Sequence, residues 1–141
     1  MERELNGPYW ALRLAYGLVP IVAGLDKFFN LLTNWEQYVS PLAANVIAPG
    51  TLMQIVGVVE IIAGILVLTS KTTRVGAWIV CIWLIAIVLN LITTGRYFDI
   101  AVRDAVMAVG AFTLAKLEEA RLRHGVPETA RRRAVHREAT A

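Results

Sequence analysis

The sequence predicts an all-α integral membrane protein: a four-helix bundle with both termini in the cytoplasm and an interfacial segment between its first two helices. Three observations predict it. Of 141 residues, 57% are hydrophobic, with a mean hydropathy of +0.56, against roughly 45–50% apolar residues in an ordinary soluble domain. The apolar residues fall into four long runs, each near the ~20 residues a helix needs to cross a bilayer. Charge is confined to the ends, the short gaps and a few positions inside the runs.

The first helix is expected over about residues 9–32. Gly7-Pro8 is a start signal, since proline suits the first helical turn. Tyr9 and Trp10 suit the headgroup zone, and Pro20 should kink the span. Residues 1–8 are then a short cytoplasmic N-terminus. With Glu2 and Glu4 in it they do not resemble a basic signal-peptide leader, so the first run is expected to be retained. Residues 33–50 are broken by Pro41 and Pro49, and Trp35, Tyr38, Leu42 and Val46 could form an interfacial half-helix. The second helix is expected over 51–70 and the third over 74–94. Residues 75–95 carry no charge, which makes the third the clearest span. The fourth, over 99–117, holds Arg103 and Asp104 in its first turns. The transmembrane domain thus covers residues 9–118, and residues 119–141 form an Arg-rich tail. Leu114 to His124 should continue as helix out of the membrane, with a flexible chain beyond Gly125-Val126-Pro127.

Orientation follows from Lys and Arg. The 71–74 hairpin holds Lys71 and Arg74, and the tail holds Lys116, Arg121, Arg123, Arg131, Arg132, Arg133 and Arg137. Residues 33–50 hold neither. The positive-inside rule places both termini and the hairpin in the cytoplasm, in a plasma membrane.

Several functions are excluded. Cys81 is the only cysteine, so no intramolecular disulfide and no cysteine-based metal cluster can form. His124 and His136 lie in the tail, which leaves no histidine in a span to ligate haem. No metal and no covalently bound cofactor is expected. A net charge of +3 without a recognition module argues against nucleic acid.

Ionisable residues inside a span cost about 2.5–3.5 kcal/mol each on insertion scales, so they mark candidate sites. Here they are Arg13, Asp26, Lys27, Glu60, Arg103 and Asp104, joined by the polar Gln54 and Asn90. At ~1.5 Å rise per residue, Glu60 falls near the midplane. Asp26, Lys27, Gln54, Asn90, Arg103 and Asp104 fall at one level in the outer half. Arg13, Gly17, Pro20, Gly24 and Lys27 share one helical face; so do Gly57, Glu60 and Gly64, and so do Asp104, Ala108, Ala111 and Ala115. Small residues mark close helix approach in lipid. Lys27, Glu60 and Asp104 should therefore face other helices. Asp26, Lys27, Arg103 and Asp104 balance in charge, leaving Glu60 as the extra acid and the best catalytic candidate, neutral or proton-exchanging. Such a cluster could orient a quinone head group or relay a proton. The same charges could equally be an interhelical clamp of Asp26/Lys27 with Arg103/Asp104. Arg13, close to the inner surface, is expected to snorkel, and Trp78 and Trp83 are expected to pack.

Leu12-Arg13-Leu14-Ala15-Tyr16-Gly17, Ala23-Gly24-Leu25-Asp26-Lys27-Phe28, Gly57-Val58-Val59-Glu60-Ile61-Ile62-Ala63-Gly64 and Asp99-Ile100-Ala101-Val102-Arg103-Asp104 together resemble the DoxX/DoxD family of small membrane proteins, over about residues 10–118. The resemblance implies a four-helix bundle linked to respiratory or redox complexes. The founding members are subunits of a thiosulfate:quinone oxidoreductase, and others associate with redox-defence enzymes. It carries no agreed catalytic residues. The expectation is a membrane subunit that contacts the lipid bilayer, anchors a redox-enzyme partner and offers a quinone-reactive or proton-conducting pocket. The alternatives are a non-catalytic structural or accessory membrane protein, a homo-oligomer among them, or a small transporter. Four-helix enzymes of the vitamin K epoxide reductase type need paired cysteines, which this chain lacks.

Overall fold

Helix α1 spans Glu2–Asp26, seven residues earlier at its start than the apolar run predicts. Glu4 lies in its first turn, where acidic groups complement the helix dipole. Pro8 and Pro20 both lie inside the helix, so Pro8 does not open it. The end also differs from the expected residue 32. Asn30 adopts a left-handed backbone, φ 52°, with its N–H on the Asp26 carbonyl at 2.6 Å; asparagine closes helices in this way. The Asp26 carboxylate then accepts the N–H groups of Leu31 at 2.9 Å and Leu32 at 3.0 Å, which turns the chain back. The computed structural model describes residues 2–125 and 135–139, with no strand among them.

The following segment is not one interfacial half-helix. It is a 3-10 turn, Trp35–Tyr38, capped by Asn34, and a single α-turn, α2, Pro41–Ala44, capped by Ser40. Trp35 and Tyr38 are half-buried, whereas Leu42 and Val46 are exposed. Helix α3, Pro49–Leu68, opens on proline. The hydroxyls of Thr72 and Thr73 bond the carbonyls of Leu66 at 2.8 Å and Val67 at 3.0 Å, closing the hairpin into α4, Thr73–Thr94. Gly95 ends α4 at φ 68°, where glycine carries no steric cost. Helix α5, Phe98–His124, follows Tyr97 at φ 61°.

Helix α1 packs along α3, and α4 along α5; the two pairs meet where α3 touches α4 and α1 touches α5. The α1–α3 contact is antiparallel and built on glycine. A Cβ on Gly24 would lie 2.5 Å from the Gly57 carbonyl oxygen, and one on Gly57 would lie 2.7 Å from that of Gly24. One on Gly64 would meet the Gly17 carbonyl. Small residues thus bring the two backbones together, as in lipid-embedded helix pairs. Between α4 and the other helices, Val67, Ala77, Leu91, Ala111, Leu114 and Ala115 are fully buried. The outward faces are apolar on all four long helices: Leu14, Leu18 and Val22 on α1, Ile55, Val58 and Ile62 on α3, Ile82 and Leu89 on α4, Val102 and Val106 on α5. By length and composition, α3 and α4 are apolar enough to cross a membrane.

Candidate functional site

Lys27 lies one residue beyond α1, and its chain leans back along the helix until Nζ donates to the Ala23 carbonyl at 3.4 Å. There it meets α3. Lys27 Nζ and Glu60 Oε2 are 2.6 Å apart, with the two side chains 4% and 9% exposed. The indole of Trp83 on α4 donates to the other oxygen, Glu60 Oε1, at 3.4 Å. Asp104 on α5 is buried close enough for its charge to act on Glu60. Lys27, Glu60 and Asp104 therefore all face the interior, as their spacing predicts.

The 3-10 turn closes over this pair. Lys27 Nζ sits 3.7 Å from the centroid of the Trp35 ring, a cation–π contact strengthened where water is scarce. The Trp35 N–H donates to Asp26 Oδ2 at 2.7 Å. Asn90 on α4 holds the turn from the other side: its oxygen accepts the Ser40 N–H at 3.1 Å and its nitrogen donates to the Tyr38 carbonyl at 2.7 Å. Tyr38 packs edge-on against Tyr97 at 4.8 Å. Beside Asp26 an apolar hollow of about 290 Å³ is lined by Val22, Leu25, Phe29 and Leu32.

Four sequence expectations change. Glu60 is not the unpaired acid, because Lys27 neutralises it; among the described residues Asp26 takes that place, and backbone and indole N–H groups satisfy it. The clamp between helices is Lys27–Glu60. Arg103 and Asp104 bond each other, at 3.0 Å, as neighbours on one helix, and the Arg103 side chain is 64% exposed. Gln54 is exposed on α3, outside the site. Trp83 donates a hydrogen bond into the site. The sequence reading gave Trp35 and Tyr38 to an interfacial segment and Trp83 to packing, and it passed over Ser40; Trp35, a tryptophan in a polar loop nine residues after Asp26, was the one available signal for the site.

At the opposite end of the helices Arg13 does not snorkel. It is 4% exposed and donates to the carbonyls of Val67 at 3.2 Å and Leu68 at 2.5 Å, and to Ser70 Oγ at 3.1 Å. It thus satisfies carbonyls that the end of α3 leaves without helical partners. Tyr9, expected among headgroups, is instead buried between Arg13 and Arg121, whose guanidinium lies 3.8 Å from its ring centroid. Lys116 bonds Glu119 at 2.9 Å and Trp78 donates to the same carboxylate at 3.4 Å. These two contacts, with Arg74 nearby, hold the Glu119 carboxyl below the usual carboxylate range. The flexibility expected beyond Gly125 falls, for residues 126–134 with Arg131, Arg132 and Arg133, outside the described residues, whereas residues 135–139 are helical.

Chemically, the site offers the Lys27 ammonium, with two of its three N–H donors bonded, and two buried carboxylates, Glu60 and Asp104. Donors of this kind suit a carbonyl oxygen on a planar ring. Among the described residues no group of three His, Cys, Asp or Glu side chains could hold a metal ion. No curated protein and no solved structure matches the chain. A family model does: DoxX, over residues 9–93, which takes in Arg13, Asp26, Lys27, Glu60, Trp83 and Asn90 but ends before Arg103 and Asp104. As that match spans more than half of the sequence, the chain belongs to the DoxX family.

Proposed function

We propose that this membrane protein is a subunit of a respiratory or redox-defence oxidoreductase complex in the cell membrane, and that its Lys27–Glu60 site receives a quinone head group. In this reading α1, α3, α4 and α5 form a four-helix transmembrane bundle with both termini cytoplasmic. The apolar outward faces of all four helices support it, as does the concentration of Lys and Arg at one end. A partner enzyme supplies the electrons. The free N–H of Lys27 donates to the quinone carbonyl, Trp83 steadies the Glu60 carboxylate, Trp35 and the 3-10 turn exclude water, and the Lys27–Glu60 pair holds a proton for the reduced oxygen.

One observation carries the proposal: an ion pair buried between two apolar helices and closed over by an aromatic turn. In membranes containing the partner complex, Glu60→Gln should lower quinone reduction by about 100-fold, the scale of a lost general acid–base group, with the protein present at normal levels. Unchanged turnover at normal levels would reject the site.

A second reading has its own support. Among the described residues every buried side-chain nitrogen and oxygen has a partner, so the charges could simply lock the helices of a non-catalytic accessory protein. Exchanging the pair, Lys27→Glu with Glu60→Lys, separates the two. Both readings expect the exchanged pair to restore folding, but only the structural one expects it to restore function.

A further inference from the structure

An open groove of about 430 Å³ runs between α4 and α5 and shares no residue with the Lys27–Glu60 site. Its walls are apolar, with Ile85 and Leu89 from α4 and Phe112 from α5, and Ala105 and Ala108 keep it clear. Its Trp78 end is different. Trp78 and Phe112 meet edge to face at 5.6 Å, and the Lys116 ammonium sits 5.5 Å and 5.9 Å from their ring centroids. Lys116 and the Trp78 N–H both bond Glu119. Arg74, exposed in the first turn of α4, acts on the same carboxylate. An apolar channel therefore ends at two cations and one anion, an excess of one positive charge.

We propose that this groove binds an anionic phospholipid, one acyl chain lying along Ala105 and Ala108 and the phosphate resting against Lys116 and Arg74. The channel runs along the helices, as an acyl chain does in a bilayer. The indole and the basic side chains stand where amphipathic rings and snorkelling lysines occupy the headgroup level. One excess positive charge matches a lipid of one net negative charge, and basic residues at that level attract such lipids. An apolar helix from another chain would fill the channel but leave that charge unanswered. The inference rests on α4 and α5 crossing the membrane, as proposed above, and is independent of the quinone reading.

Purify the full chain in mild detergent, exchange it with equal amounts of phosphatidylglycerol and phosphatidylcholine, and weigh the retained lipid by native mass spectrometry. One phosphatidylglycerol should remain bound in preference to phosphatidylcholine. Lys116→Gln and Arg74→Gln should each reduce that preference by about fivefold. Ala105→Trp and Val109→Trp, both at exposed positions, should abolish retention with helix content unchanged. Equal retention of the two lipids, or retention that survives both blocking variants with wild-type helicity, overturns the proposal. So does a dimer or a bound protein that either tryptophan displaces. Recovery of the chain in the soluble fraction of lysed cells would instead reject the membrane reading itself.

Discussion

Gly24 and Gly57 face each other across α1 and α3 so closely that neither has room for a methyl group: each Cβ would fall within 2.7 Å of the other's carbonyl oxygen. A backbone oxygen cannot swing aside, so Gly24→Ala or Gly57→Ala must push the helices apart. Thermal unfolding in detergent should show a loss of about 1–3 kcal/mol for each, the range for overpacking. Gly17→Ala should cost clearly less, because the nearest atoms to its Cβ all belong to the flexible Leu68 side chain rather than to backbone. Equal losses at positions 17 and 24 would refute this account of the contact.

The Lys27–Glu60 pair predicts a non-additive mutant cycle. Lys27→Met leaves a buried carboxylate unpaired and Glu60→Leu leaves a buried ammonium, each costing about 3–5 kcal/mol. The double variant should recover most of the loss, since two apolar groups need no partner there. Additive losses in the chemical-denaturation free energies would show that the two charges do not depend on each other.

Asn90 holds the aromatic turn by two backbone hydrogen bonds, and Asn90→Leu removes both at nearly constant volume. The expected cost is about 1–3 kcal/mol, confined to the loop. Hydrogen exchange should speed up over residues 35–44 and stay unchanged in α3. Uniform acceleration throughout would mean that the asparagine supports the whole fold.

Glu119, beyond the proposed spans, sets a pH response. Its folded carboxyl titrates below the ordinary value, with the bond from Lys116 as the main cause. The contact is therefore complete above the unfolded value of about 4.3 and is lost as pH falls through the lower, folded one. Tryptophan emission should show a step in that acid range from Trp78, and Glu119→Gln should abolish it. A step that persists in the variant would assign it to another group.

How much of this was legible in the sequence differs from helix to helix. Helices α3 and α4 are long runs, apolar but for a few polar positions such as Glu60 and Asn90, bounded by Pro49, Lys71 and Gly95, which leave little choice. Helix α1 was harder. Its terminus is set by the Asn30 backbone and by Asp26 bonding the amides that follow, and hydropathy cannot see either. In the site, periodicity brought Lys27, Glu60 and Asp104 to the interior, because a repeat of 3.6 residues fixes which face a residue occupies. It could not pair them. Lys27 reaches Glu60 only because its long chain folds back towards Ala23, and Trp35 arrives through a loop whose path no spacing encodes.

The α1–α3 contact also bears on biogenesis. In the four-span reading proposed above, Arg13, Asp26 and Lys27 make α1 a poor substrate for insertion by itself, at about 2.5–3.5 kcal/mol per charge. Yet two of those three charges find their partners on α3 or just past it: Arg13 on Val67, Leu68 and Ser70, and Lys27 on Glu60. A nascent chain halted before Pro49 should therefore leave α1 loosely held at the translocon, and release of α3 should draw both into the bilayer as one hairpin. In that reading, synthesis of α3 completes the insertion of α1.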